Sequence, residues 1–464
     1  MACATNPATG ERQLSFMSEE KEVALGQEND AQVRKEMGSY DDRALQEYVT
    51  SVGLKLAMVS ERPGLPWHFT VADVPAVNAF ALPGGYIYIT RGILPYLDDE
   101  SQIAGVLGHE IGHVTARHAA SQYSKSLLSN IALIGAAVAA PGGPAIAQAG
   151  SSGLGVLLLK YSRDDESQAD GLGVRYASKA GWDPAGIPRM LTTLGRIEDA
   201  SDSKGVPNWL QTHPQPDDRV QRVQAAVREA EASATKFVEN HDAYLERMKG
   251  LVWGDNPEQG IVRGSSFLHK GLRFSFEFPA GWPIENGSTS VVAKQQGTNV
   301  LMLLQQIRRP ARTLEDTAIV TMQNAGFREV EGARTTVNGL DAYMGSYVGA
   351  LQSYGRAQLR ALFVRNNSSM YLVAGIAPID AYPNAVSTFD RSLRSFKAMS
   401  AADAERLQPN RIDLYTAKPG DTWQSVAERQ CKGIIKATTL AIMNGHPTND
   451  APPPGERLKI VVGD

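Results

Sequence analysis

Two histidines four residues apart, with a glutamate directly after the first, constrain this chain more than any other feature. In His109-Glu110-Ile111-Gly112-His113, helical spacing places both imidazoles on one face, and Glu110 points about 100° around the helix from His109. Two metal ligands and a carboxylate base are what a zinc peptidase needs to activate water. We therefore predict a helix that carries a catalytic zinc site. The alternative is a surface helix that spells the motif by chance.

The neighbouring residues favour a helix. Acids and a hydroxyl at 97–101 suit a helix N-terminus, and apolar residues then recur at three- and four-residue steps at Ile103, Val106, Leu107, Ile111 and Val114. Gly105, Gly108 and Gly112 each weaken such a helix by roughly 1 kcal/mol relative to alanine. Their presence predicts that another backbone approaches closely here, at the metal site.

A catalytic zinc site requires a third protein ligand. The acidic segment 161–170 offers candidates, because on a helix Glu166 and Asp170 lie one turn apart and face the same way. Glu166 would bind the metal, and Asp170 would orient a ligand histidine through its free ring nitrogen. The alternative is an ordinary acidic helix start.

Four separated segments resemble the M48 family of zinc metallopeptidases, and they follow the family's order over roughly the first half of the chain. They are Val77–Tyr88, the His109 motif with Ala116-Arg117-His118, the Ser-Arg-x-x-Glu-x-x-Ala-Asp segment at 162–170, and Thr-His-Pro…Arg at 212–219. The resemblance implies a mostly helical, zincin-type domain that holds one Zn²⁺ ion per chain.

The same resemblance assigns roles to residues. It implies His109, His113 and Glu166, not Asp164 or Asp165, as the zinc ligands. It places Asp170, Arg163 and Arg219 behind those ligands, and it makes His213 and Arg219 candidates for holding the oxyanion or capping the metal. The strand residues beside the cleft are Asn78, Ala79, Phe80 and Ala81.

The residues themselves support parts of these assignments. Aromatic and β-branched residues flank a Pro-Gly-Gly turn between Phe80 and Tyr88, which predicts a hairpin. Its edge would pair with an extended peptide substrate, or the hairpin is purely structural. His118 lies five residues past His113, about 140° around a helix, so we expect it to pack near the site without binding the same ion.

The predicted mechanism uses these groups together. Zinc acidifies a water molecule, Glu110 accepts the proton and later passes it to the leaving amine, and His213 stabilises the oxyanion. The alternative is that His213 binds zinc in a resting state, which would exclude water and make the enzyme latent. Sequence spacing leaves both roles open.

Composition limits the other functions. A chain of 464 residues with 42% apolar residues suits about three domains. A net charge of −4 without a concentrated basic patch argues against nucleic acid as a partner. No apolar run reaches the roughly eighteen residues of a membrane helix. The small-residue runs 127–140 and 153–159 predict a helical hairpin that either packs in the core or acts as a mobile lid or membrane-facing flap.

The N-terminus carries a separate signal. Cys3 follows a small residue and precedes a polar stretch, as at the end of a bacterial lipoprotein signal. We predict a lipoprotein-like tail at 1–15 with Cys3 as the lipidation candidate; the alternative is an accidental cysteine. Only one other cysteine, Cys431, is present, so no internal disulfide framework is expected.

We predict an α+β protein with the peptidase domain at 16–250 and two further domains. Residues 258–400 alternate like strands, with helices expected at 313–325 and 381–395, and weakly resemble PsbP- or Mog1-like folds. Residues 410–464, with Pro419-Gly420-Asp421-Thr422-Trp423 and Ile442-Met443-Asn444-Gly445, resemble a LysM module. Such a βααβ module implies binding to peptidoglycan or another N-acetylglucosamine glycan, or a packing role alone.

Together these features predict a zinc endopeptidase of the bacterial cell envelope, in the periplasm and anchored to the outer membrane by lipid at most, that hydrolyses misfolded or immature envelope proteins. The alternative is a largely latent assembly or chaperone-like factor that docks through its C-terminal modules.

Overall fold

The structure is a computed structural model that describes residues 3–124, 161–200, 209, 213, 219–233, 236–287, 289–351 and 355–463. The chain divides into two compact units. One combines Met1–Trp253 with Asn410–Asp464, and the other is Gly254–Pro409. Both contain helices and sheets, which confirms the predicted α+β class.

The N-terminal part of the first unit is mainly helical. Its elements, in chain order, are β1 Cys3–Thr5, β2 Arg12–Leu14, α1 Glu19–Met37, α2 Arg43–Met58, β3 His68–Ala72, β4 Ala79–Leu82, β5 Tyr86–Thr90, α3 Glu100–Thr115, α4 Arg163–Lys179, α5 Gly186–Ala200, α6 Arg219–Ser233, α7 His241–Met248 and β6 Val252–Trp253. Helix α3 begins where the sequence predicted, because the N-cap Asp99 accepts a hydrogen bond from the Gln102 amide. The predicted 127–159 hairpin lies outside the described residues.

A three-stranded sheet lies beside α3. Strand β5 is central, with β3 parallel to it on one side and β4 antiparallel on the other. The predicted hairpin at 80–88 is therefore confirmed, and Gly84 and Gly85 adopt the positive φ values of 78° and 100° that its tight turn requires. Strand β4 is an edge strand of this sheet, so one of its sides pairs with no other strand of the described chain.

The glycines of α3 lie where α4 and α5 cross it. A Cβ atom on Gly108 would lie 3.2 Å from Gly173 Cα, and one on Gly112 would lie 3.0 Å from the Ala169 carbonyl oxygen. On Gly105 it would meet Ile187. The expected close backbone approach is thus confirmed: Gly108 and Gly112 allow α3 and α4 to pack with their backbones in contact.

The C-terminal segment packs within the first unit. It consists of β18 Asn410–Thr416, α11 Trp423–Arg429, α12 Ala437–Met443 and β19 Arg457–Val462. Strand β18 pairs antiparallel with both β19 and β6, and the segment shares a hydrophobic core with the peptidase-like helices. The element order is βααβ, as predicted; the resemblance to a LysM module stays a prediction.

The second unit is built on antiparallel sheets. One has seven strands in the order β10-β11-β12-β16-β15-β14-β13, and the other has four in the order β17-β9-β8-β7. The strands are β7 Ile261–Arg263, β8 Ser266–His269, β9 Phe274–Glu277, β10 Ile284–Asn286, β11 Ser290–Lys294, β12 Leu301–Ile307, β13 Phe327–Val337, β14 Leu340–Leu351, β15 Gly355–Asn366, β16 Ser369–Pro378 and β17 Lys397–Ala398. The helices are α8 Leu314–Asn324, α9 Tyr382–Leu393 and α10 Ala401–Glu405, and the first two confirm the helices expected at 313–325 and 381–395.

Within the described part of the chain, every helix falls short of the length and apolarity that crossing a bilayer requires.

Candidate metal centre

Helix α3 brings its two motif histidines into contact. The Nε2 atoms of His109 and His113 lie 3.0 Å apart, and both side chains are buried. At most one of two such close nitrogens can carry a hydrogen, so at least one ring nitrogen presents a lone pair to the space between them. This arrangement is what the i,i+4 spacing predicted.

Helix α4 supplies the carboxylate. Glu166 Oε1 lies 3.4 Å from His113 Nε2, and Glu166 Oε2 lies 3.6 Å from His109 Nε2. The start of α4 explains why neighbouring acids do not take this place. Asp165 closes a capping box with Ser162, and Asp164 is exposed. The structure therefore brings Glu166 to the two histidines, as the resemblance implied.

One turn further along α4, Asp170 sits behind His109. Its Oδ1 atom lies 2.9 Å from His109 Nδ1, which leaves Nε2 of that ring facing His113 and Glu166. Arg219, at the start of α6, donates to Asp170 from Nε at 2.7 Å and from Nη2 at 2.8 Å, and its Nη2 also lies 2.9 Å from Glu166. Burial alone would raise the pKa of Asp170, but Arg219 lowers it below the ordinary value, so Asp170 is a charged acceptor for His109.

His213 joins the group from a separate segment. Its Nδ1 atom lies 2.9 Å from Glu166 Oε1 and 3.3 Å from His109 Nε2, and its Nε2 atom lies 3.6 Å from Glu110 Oε1. Sequence spacing predicted a role at the site without deciding its place. The structure puts the ring directly among the candidate ligands.

The donor set fits a zinc ion. One ligand atom from each of His109, His113, Glu166 and His213 lies within 4.8 Å of the others, and all four residues are buried. Burial lowers the pKa of His113 well below its ordinary value, which favours the neutral ring that metal binding requires. Burial would raise the pKa of Glu166, but the neighbouring histidines, His213 foremost, lower it well below the ordinary value. Three imidazoles and one carboxylate are typical zinc donors.

Glu110, on α3, also faces this cluster, with its Oε1 atom 3.6 Å from His213 Nε2. The residue is fully buried, and burial raises its pKa to about 7. His109, Trp209 and Arg219 act in the opposite direction. A carboxyl group with a pKa near neutrality, beside the candidate metal ligands, suits a general base that must both accept and return a proton.

Two aromatic residues complete the walls, and the sequence did not single them out. The Trp209 ring is fully buried and stacks on His213 with centroids 4.7 Å apart, and the Tyr161 ring stacks on His113 at 3.9 Å. Trp209 precedes His213 by four residues, so a helical i,i+4 relation could have indicated it. Tyr161 follows directly from no spacing rule.

The other predicted residues occupy different positions. The four residues predicted to contact substrate are buried and lie at or in β4: Asn78, Ala79, Phe80 and Ala81. Just before them, the Val77 carbonyl oxygen accepts a hydrogen bond from the Trp209 amide at 3.2 Å. Their role in holding substrate stays a prediction.

Arg163 begins α4 with an exposed side chain, so it stands apart from the buried cluster. Cys3 lies in β1, where its backbone pairs opposite Leu14.

His118 lies behind His113, next to the candidate ligands. Helix α3 ends at Thr115, and Arg117 has a φ of 60°, so the chain turns back before His118. This turn places His118 Nδ1 2.8 Å from His113 Nδ1. His118 therefore lies beside His113, as expected, and the expectation that it does not bind the ion stays a prediction.

Comparison with known proteins agrees with this geometry. The model of peptidase family M48 matches residues 43–227. The β-barrel assembly-enhancing protease of Escherichia coli (strain K12) is 30% identical over 258 residues, which cover 53% of this chain and 52% of that protein. The mitochondrial metalloendopeptidase OMA1 of Schizosaccharomyces pombe is also 30% identical over 258 residues, covering 53% of this chain and 74% of that protein. The chain thus matches about half the length of the bacterial relative.

Among solved structures, cyanobacterial PsbP from Synechocystis is similar to 30% of this chain and 95% of its own, at 15% identity and a TM-score of 0.24. This score is too low for a conclusion, so the PsbP-like resemblance of 258–400 stays a prediction. The M48 match is different in kind: it spans both helices that carry the candidate ligands, and the alignment with the S. pombe relative covers 74% of that protein. On these grounds the chain belongs to peptidase family M48.

Proposed function

We propose that this protein is a zinc-dependent endopeptidase. The proposal depends on one observation: the side chains of His109, His113 and Glu166 are buried close together, with the Glu110 carboxyl beside them. Two helices, α3 and α4, supply all four groups, and the glycine contacts between these helices hold them at this separation. Family membership supports the same activity.

The residues divide the work of peptide hydrolysis. A bound zinc ion would acidify water and polarise the peptide carbonyl. Glu110 accepts the proton of the attacking water and later returns it to the leaving amine, and its raised pKa suits both transfers. Asp170 holds His109 in the tautomer with its proton on Nδ1, while Arg219 pairs with both Asp170 and Glu166.

The experiment compares wild type with Glu110→Gln for bound zinc and for cleavage of an unfolded protein such as casein. We expect equal zinc contents and a loss of cleavage of about 10²-fold or more, because the amide cannot accept the proton. Glu198→Gln is the matched control, since Glu198 is exposed at the end of α5 and its loss should leave cleavage unchanged. Cleavage by Glu110→Gln at the wild-type rate would refute the assigned base.

The position of His213 favours a second candidate, a largely latent protein. If His109, His113, Glu166 and His213 all bind the ion, they fill the four positions of a tetrahedral zinc site and leave none for water. The buried Glu110 and the ring of Trp209 on His213 describe a closed site. In such a state the protein would serve envelope assembly through its other modules, with proteolysis held in reserve.

His213→Ala separates the two roles by the sign of its effect. If His213 occupies the water position, the variant cleaves faster than wild type because the position opens. If His213 instead stabilises the oxyanion, the variant loses cleavage, by about 10²-fold by analogy with other oxyanion donors. The double variant His213→Ala/Glu110→Gln checks that any added cleavage comes from this site.

We further propose a place in the bacterial cell envelope, with misfolded or immature envelope proteins as substrates. The E. coli relative's name, a β-barrel assembly-enhancing protease, supports this setting. Deletion of the gene, compared with a chromosomal Glu110→Gln allele, should change the abundance of the same outer-membrane proteins in both strains if proteolysis is the function. A phenotype in the deletion strain alone would favour the non-proteolytic role.

Two attachments belong to this proposal. Cys3 would carry a lipid anchor to the outer membrane, and mass spectrometry of protein purified from cell membranes tests this by the added acyl mass, which Cys3→Ser should abolish. Residues 410–464 would bind peptidoglycan, and co-sedimentation with purified sacculi tests this binding. Recovery entirely in the supernatant would refute glycan binding.

A further inference from the structure

The second ring nitrogen of His113 has an unusual partner. His113 directs Nε2 towards His109 and Glu166, at 3.0 and 3.4 Å. Its Nδ1 atom meets another imidazole nitrogen, His118 Nδ1, at 2.8 Å. His109 differs, because its Nδ1 meets the carboxylate of Asp170. The two ligand histidines are therefore oriented by chemically different groups.

The series of hydrogen bonds continues beyond His118, and it determines which ring nitrogens carry protons. His118 Nε2 lies 2.9 Å from Gln168 Oε1, and an amide oxygen only accepts, so His118 Nε2 carries a hydrogen. A neutral His118 then has a lone pair on Nδ1, which accepts the hydrogen of His113 Nδ1. His113 consequently keeps its Nε2 lone pair for the metal. The four ring nitrogens of His113 and His118 all have consistent roles.

The N-terminal hairpin holds the far end of this chain. Asn6, between β1 and β2, donates from Nδ2 to Gln168 Oε1 at 3.1 Å. The Asn6 side chain is itself oriented, because its Oδ1 accepts from the Ala8 amide at 2.9 Å, and Asn6 is only 4% exposed. Gln168 also lies on α4 two residues after Glu166, so this series of hydrogen bonds connects the two helices that carry the candidate ligands.

We propose that His118, Gln168 and Asn6 form a neutral hydrogen-bond relay that positions His113 for zinc. His118 is a positioning residue that contacts the ligand and not the ion, and Asn6 links the N-terminal segment to the metal centre. This inference rests on the proposed zinc site. Without the relay, the Nδ1 hydrogen of His113 would lack its acceptor in a buried place, and the tautomer that presents the Nε2 lone pair to the metal would lose its support.

The test uses two substitutions of similar shape. His118→Asn keeps an acceptor at the position of Nδ1, whereas His118→Leu replaces it with a methyl group. For each protein, the zinc dissociation constant is measured by competition with a chelator, and the absorption spectrum of the cobalt-substituted protein reports ligand geometry. We expect the constant to rise about 10- to 100-fold for leucine and less than about threefold for asparagine, with an altered cobalt spectrum for leucine alone.

Thermal unfolding of the metal-free proteins shows whether each variant folds. If His118→Leu does not fold, Gln168→Leu and Gln168→Glu decide instead. Gln168 is partly exposed, and only its glutamate variant keeps an acceptor for His118. Leucine should then weaken zinc binding more than glutamate does.

Equal zinc affinity in all the variants would overturn the relay. Equally weak binding by the asparagine and leucine variants would overturn it too, because ring shape and not the hydrogen bond would then matter. Failure of wild type to bind zinc would refute the metal site itself, and the relay with it, so the two failures are distinguishable.

Discussion

Lys459 offers a sharp test of how the C-terminal segment supports the metal-binding helix. The residue lies in β19 and is fully buried, yet its ammonium donates to the Leu97 carbonyl oxygen at 2.6 Å and to Asp98 Oδ1 at 2.7 Å. Leu97 and Asp98 directly precede Asp99, the N-cap of α3. Burial lowers the pKa of Lys459, while Asp98 opposes that shift. The buried ion pair thus joins 410–464 to the start of α3.

The magnitude for Lys459→Met follows from what is left behind. The variant retains the apolar stem but leaves a buried carbonyl and a carboxylate without their cationic donor. Breaking a fully buried pair costs about 3–5 kcal/mol. The Asp98 side chain is 18% exposed and can recover some hydration, so we expect a loss of about 3 kcal/mol. Adding Asp98→Asn should restore about 1–2 kcal/mol, because the uncompensated charge disappears.

The assay is urea-induced unfolding followed by tryptophan fluorescence, since Trp253 and Trp423 lie in or beside this core. Lys436→Met is the matched control, because Lys436 is an exposed lysine of the same segment and should change the free energy of unfolding by less than about 0.5 kcal/mol. A change below about 1 kcal/mol for Lys459→Met would refute the claim that the buried pair holds the segment to α3.

Three further predictions concern the helix contact, the buried ion pairs and the second unit. Gly112→Ala should destabilise the protein by about 1–3 kcal/mol and weaken zinc binding, because the new Cβ meets the α4 backbone at 3.0 Å. Gly171→Ala, with open space around its Cβ, should stabilise the protein by up to about 1 kcal/mol. Changes of the same sign in the free energy of unfolding of the two variants would contradict this prediction. Arg219→Leu should cost the metal-free protein about 3–5 kcal/mol by removing the buried guanidinium that pairs with both Asp170 and Glu166. Bound zinc should restore part of this loss, and a thermal unfolding midpoint unchanged from wild type would rule the prediction out. Burial lowers the pKa of His269 to about 4 from 6.5, so the unfolded chain takes up a proton at a higher pH than the folded chain does. The free energy of opening that hydrogen exchange reports for 266–277 should therefore fall as the pH drops from 6.5 to 4, by at most about 3 kcal/mol. His269→Asn keeps an acceptor for the Leu272 amide and should remove that dependence; an unchanged pH profile would point to another group.

Local rules account for what the sequence predicted correctly. Helical periodicity placed His109 and His113 on one face and put Asp170 one turn after Glu166, because both relations depend only on the pitch of a single helix. The Pro-Gly-Gly turn predicted the β4–β5 hairpin because its φ values suit glycine. The glycines of α3 indicated a close neighbour, although not which one.

Contacts between distant segments followed no such rule. The ring of His213 meets His109 across 104 residues, and Lys459 meets Asp98 across 361. Asn6 reaches Gln168 across 162 residues, where sequence reasoning expected only a tail. Arg163 was expected behind the ligands because of its motif position, but it lies on the exposed side of α4.

By itself, the sequence predicted most of the chemical groups in the candidate metal centre and which helix presents two of them, because helix geometry converts spacing into direction. The tertiary structure decided the rest: that His213 stands among the candidate ligands, that His118 contacts one of them, and that Lys459 contacts the residues just before α3. These contacts depend on packing. Burial removes water, so a hydrogen bond or ion pair to the remaining polar partner becomes strongly favoured. Spacing along the chain carries no information about which distant groups meet under those conditions.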